Sequence, residues 1–91
     1  MNNNTEVKMS DSLFKRIAII VIHMKSLKNR QTILDGQIEV EHKRRAPDQE
    51  QLRWLKVRRL MVRDQIARYE SILQDLRSLL PTTHSRKVAL A

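Results

Sequence analysis

LDGQIEVEHKRRAPDQEQLRWLKVRRLMV, residues 34–62, holds the reading that decides the fold. Up to Glu41 the apolar positions recur at steps of four and three, and beyond Pro47 they resume in the same rhythm from Leu52. Followed toward the N-terminus, the first stripe is Leu13, Ile17, Ile20, Met24, Leu27, Gln31, Leu34, Ile38 and Glu41. Followed toward the C-terminus, the second is Leu52, Leu55, Arg59, Val62, Ile66, Tyr69, Leu73, Leu76 and Leu80. Such spacing keeps one side of a helix apolar and suits a coiled-coil seam. Proline removes a backbone donor and cannot sit inside a helix, but it is tolerated in a first turn. Folding the chain at Ala46-Pro47 pairs the stripes in one register: Leu13 with Leu80, Ile17 with Leu76, Ile20 with Leu73, Leu27 with Ile66, and Ile38 with Leu55. The predicted fold is all-α: an antiparallel, coiled-coil-like two-helix hairpin that assembles into a helical bundle.

Size and composition set further bounds. At 91 residues the chain is one domain at most, and two helices side by side form a thin layer that is marginal alone. One Gly and two Pro leave little material for turns. The absence of Cys removes any disulfide framework, thiolate metal site or thiol nucleophile. A net charge of +8 favours anionic contacts such as nucleic acid, anionic lipid or an acidic protein face, or simply a solvated basic surface. The longest apolar run, Ile17 to Ile22, is far short of the roughly 20 residues that a membrane span needs. It also lacks the cleavage site of a signal peptide, because His23, Met24 and Lys25 continue the heptads.

The expected organisation is a loose, Asn-rich tail over residues 1–9, a hairpin over 10–80, and a loose tail over 81–91. Met9 is an alternative biological start. Within the hairpin, helix 1 spans about 10–43 with Ser10 as its cap, the turn spans 44–47, and helix 2 spans about 48–80 and stops before Pro81. Lys43, Arg44 and Arg45 suit the negative end of a helix dipole. Asp48, with Gln51 three residues on, reads as a second cap. Gly36 reads as a tolerated exposed glycine, with close approach of a partner helix as the alternative.

Apolar residues outside the stripes are the candidate functional surface. Phe14 and Val21 widen the seam at the start of helix 1, Ile72 and Leu79 at the end of helix 2, and Ile19 and Ile22 point off it. All six lie at the end away from the turn, and together they form the expected oligomer or partner interface. Its occupants are a second copy of the chain, a foreign helical partner, or a membrane surface. Trp54, Val57 and Met61 form a second stripe near the turn, either packed within an oligomer or open to a separate partner.

Catalytic and metal chemistry find no constellation. His23, His42 and His84 have no helical pairing with one another, and His23 falls near Tyr69 or Glu70 in the hairpin register. Asp35, Glu39 and Glu41 read as surface partners of nearby bases. Gln31 and Arg59 interrupt the seam, and Arg59 is expected to pack its stem and send its head to water beside Asp35. A two-helix layer offers no concave site that excludes water, so the reading is non-enzymatic, with no catalytic, metal or cofactor residues and no small-molecule substrate. Arg44, Arg45, Arg53, Lys56, Arg58 and Arg63, with Trp54 among them, are candidates for weak anion or nucleic-acid contact. The chain carries neither a recognition helix nor finger spacing.

Leu34-Asp35 followed by Ile38, then Arg45-Ala46-Pro47-Asp48, Leu52, Leu55-Lys56, Arg59-Leu60 and Asp64-Gln65-Ile66 form a more specific pattern than the heptads. From Leu27 to Leu76 the chain resembles the YdcH-like proteins, small helical proteins of proteobacteria whose role is mostly unassigned. The resemblance implies a short helical hairpin in a bacterial cytoplasm and supplies no activity or cofactor. The apolar start, Leu13 to Met24, departs from it.

Overall fold

The computed structural model describes residues 2–80, with side-chain environments from residue 11 onward. The expected tail over 81–91, including His84, lies outside them. Two helices make up the fold: α1, Asn2–His42, and α2, Gln49–Ser78, packed antiparallel along their length. The hairpin measures 67 × 33 × 14 Å, one helix thick in its smallest dimension.

The stripes form the seam. Between residues 11 and 80 every position of both stripes is buried or half-buried, and outside them Pro47 alone shares that state. The best covered residues are Leu27, Leu34, Leu52 and Leu55, and Leu55 is only 2% exposed. Two side-chain pairs pin the register at separated levels. The His23 and Tyr69 rings meet edge to face at 4.9 Å between centroids, and Arg59 Nη1 lies 3.3 Å from Asp35 Oδ1. The Arg59 side chain is half-exposed, as a packed stem with a wet head should be.

The turn is built from two carboxylates. Asp48, in extended backbone, caps α2: its Oδ1 accepts hydrogen bonds from the Glu50 and Gln51 amides at 3.0 and 3.1 Å. The Asp48 amide in turn donates to Glu41 Oε2 at 3.0 Å, while Arg44 Nε lies 3.5 Å from Glu41 Oε1. Glu41 is 6% exposed, the one buried charged residue among those described. It is therefore not the surface partner that its neighbours suggested. It occupies the last position of the first stripe because the turn supplies the donors that its carboxylate needs. Glu39 does pair on the surface, with Lys43 at 3.0 Å.

The boundaries differ from the sequence reading in one respect that matters. α1 runs back to Asn2, so residues 2–9 are helical and Ser10 lies inside the helix rather than capping it. Nothing before Gly36 breaks a helix, and each residue added to an existing one gains a hydrogen bond. α1 ends at His42, and α2 spans Gln49–Ser78. Gly36 sits in α1 with nothing beyond its own neighbours and the adjoining helix backbone within 4 Å of where a Cβ would stand, as an exposed glycine should.

Candidate interaction surface

Helical geometry divides the outside of the hairpin into two flanks beside the seam and a back on each helix. One flank carries an open groove lined by Val21, Lys25 and Lys28 from α1 and by Glu70, Gln74 and Arg77 from α2. Phe14 lies seven residues before Val21 and so belongs to the same side. The other flank carries a groove where Ile33, Gln37, Val40 and Arg44 face Gln51. Arg58, Gln65, Ile72 and Leu79 continue from Gln51 at steps of seven, and Trp54 and Met61 lie beside them. Ile19 is in step with Ile33 and Val40.

The six residues expected to form one interface therefore do not share a face. Phe14 and Val21 belong to the first flank, Ile19, Ile72 and Leu79 to the second, and Ile22 to the back of α1. Ile72 is two residues from both Glu70 and Gln74, about 200° around the helix, which separates it from Val21. All six are exposed, Leu79 by 69%. The Trp54 group splits as well. Val57 borders a groove with Arg53, Lys56 and Leu60, while Trp54 and Met61 stand on the second flank. Ile33 and Val40, both exposed, were missed by the sequence reading; their signal was the seven-residue step from Ile19.

The cationic candidates scatter in the same way. Arg53 and Lys56 line the groove beside Val57, with Arg63 one heptad after Lys56. Arg58 instead stacks its guanidinium 5.0 Å from the Trp54 ring centroid. Arg44 is engaged with Glu41, and Arg45 is exposed in the turn. Both flanks are therefore basic: the first carries Lys25, Lys28, Arg53, Lys56, Arg63 and Arg77, while the second, in step with Gln37, Gln51 and Trp54, carries Arg16, Arg30, Arg44, Arg58 and Arg68 and is also the more apolar of the two. Among the described residues no group of three His, Asp or Glu side chains could hold a metal ion, and no helix is long and apolar enough to cross a membrane.

A protein-family model described as protein of unknown function (DUF465) matches residues 24–70, more than half of the chain. The chain belongs to the DUF465 family. No curated protein and no solved structure matches it. The limits of the DUF465 match coincide with a level in the hairpin: residues 24 and 70 flank the His23–Tyr69 contact, where the two helices stand side by side. The match takes in the turn and the well-buried middle. The outer rungs, Ile20–Leu73, Ile17–Leu76 and Leu13–Leu80, lie beyond it, and of their members Leu73 alone is buried, the others half-buried. The DUF465 description assigns no activity.

Proposed function

We propose that this chain is a non-enzymatic, cytoplasmic helical hairpin of the YdcH-like kind that works by self-association as a protein-interaction module. The observation that carries the reading is the uncovered apolar end. Beyond the family match the hairpin continues for three rungs, yet Phe14, Ile19, Ile22 and Leu79 remain more than half exposed there. A free monomer would hold this surface in water, at a cost of about 25 cal/mol per Å² relative to burial.

Sedimentation tests it. The unmodified chain should sediment as a dimer or larger species at tens of micromolar, and the variant Ile19→Glu/Val21→Glu as a monomer that is still helical. A monomeric, non-aggregating parent under those conditions would overturn the proposal.

The first flank favours a second reading, weak association with nucleic acid. Lys25, Lys28 and Arg77 converge on one groove there, although Glu70 stands among them. Each phosphate neutralised on a duplex gives a slope of about −0.9 in log affinity against log salt. Binding to a short DNA duplex, followed by fluorescence anisotropy, should be sequence-independent, fall steeply with salt, and fade near 0.15 M. Sequence-selective binding tighter than micromolar at that salt would reverse the ranking of the two readings.

A further inference from the structure

We infer that a second copy of this chain docks on the second, more apolar flank with the two α2 helices antiparallel, Met61 of each facing Ile72 of the other. The inference rests on the self-association reading and gives it a face, a partner and a register.

The first observation is a symmetry in α2. Along this flank a second stripe runs from Trp54 to Leu79 in steps of four and three, and it reads alike in both directions. Reversed and laid against itself, it places Trp54 against the partner's Leu79, Arg58 against the partner's Asp75, Met61 against the partner's Ile72, and Gln65 against the partner's Arg68. Apolar meets apolar, cation meets anion, and the centre is polar on both sides. A two-fold interface requires this self-complementarity, because residue i meets j while j meets i. A parallel pairing would set both Arg58 and Asp75 against their own copies, whereas Arg68 lies close to its copy in either orientation. Charges of like sign across a helical seam select against that orientation. Trp54, Met61, Ile72 and Leu79 are all exposed in the single hairpin.

The second observation comes from α1, which is unrelated in sequence. The α2 symmetry centre lies between Gln65 and Arg68, and the His23–Tyr69 and Asp35–Arg59 contacts put it level with Ser26 and Leu27. The same two-fold applied to α1 sets Ser26 beside its own copy and Ile19 against the partner's Ile33. Ile19, Ser26 and Ile33 share one heptad position on this flank. The level set by α2 thus places Ile19 against the partner's Ile33 and the small Ser26 at the α1 crossing, with His23 and Arg30 on the same flank beside it. The resulting four-helix bundle keeps Lys25, Lys28 and Arg77 on its outside, whereas Arg16 and Arg30 of α1 and Arg58 and Arg68 of α2 lie along the docked flank, where each long side chain must carry its head to the edge of the bundle.

Disulfide trapping tests the register cleanly, because the full chain has no cysteine. In Met61→Cys/Ile72→Cys the two thiols of one chain are about 16 Å apart along a helix, too far to bridge, since paired Cα atoms lie within about 7 Å. Mild oxidation should convert most of this variant to a covalent dimer, and neither single substitution should do so. Asp75→Arg should weaken dimerisation about tenfold, as two exposed ion pairs become repulsions. Arg58→Asp/Asp75→Arg should restore it, and Val21→Glu on the opposite flank should leave it unchanged. Ready crosslinking of Met61→Cys alone overturns the antiparallel arrangement. An associating parent whose double variant stays uncrosslinked overturns the register and leaves self-association standing. A monomeric parent overturns both.

Discussion

Replacing Leu55 with Ala should lower the melting temperature of the hairpin by 10 °C or more. Leu55 is the least exposed residue of the seam, at 2%, and it packs where Ile38 and Leu52 close the layer above the turn. Truncating a buried Leu to Ala costs about 2–5 kcal/mol, through lost transfer energy and the cavity left behind. For a domain of this size each kcal/mol moves the midpoint by about 4–8 °C. Circular dichroism on heating gives the number. Leu60→Ala is the control, since Leu60 is 57% exposed and off the seam, and it should shift the midpoint by no more than a few degrees. If the two variants melt together, the seam is not where the stability lies.

The second large effect is expected at Glu41. Glu41→Ala removes the acceptor of the Asp48 amide and leaves a cavity under the turn. A hydrogen bond to a charged group contributes about 1.5–3 kcal/mol. The expected fall in melting temperature is about 10 °C. Glu41→Gln keeps an amide oxygen in the acceptor position and should recover part of the loss, although it gives up the charge facing Arg44. A Gln variant as damaged as the Ala variant would mean that the ion pair with Arg44, not the bond to Asp48, holds the turn.

The sequence carried the seam in full, for a physical reason. A period of three and four is set by the helix itself, and a single proline left one place to fold. The register followed because folding at Ala46-Pro47 lets one alignment pair every rung of the two stripes. What the pattern could not convey was the pairing of flanks. Phe14 and Ile72 each lie beside a stripe, but whether they adjoin depends on the sense of each helix in space, and one-helix periodicity does not contain it. Glu41 was misjudged because residue type outweighed position: its place in the stripe already said that it was covered. The start of α1 was misjudged in the opposite direction, since Ser10 is a good cap in isolation but yields to a helix already formed beyond it.

The two-carboxylate turn also orders the way this chain assembles itself. Bringing Ile38 to Leu55 closes a short loop, while bringing Leu13 to Leu80 closes nearly the whole chain, and the entropy of closure grows with the span. Each rung formed next to the turn shortens the loop that remains for the next. The hairpin therefore closes like a zipper from Asp48 outward, and it opens from the far end first. Damage near Glu41 slows folding, whereas damage near Ile17 speeds unfolding. The end that grips last also leaves Phe14, Ile19, Ile22 and Leu79 uncovered, so docking there clasps the zipper at its loose end and lengthens the lifetime of the folded state.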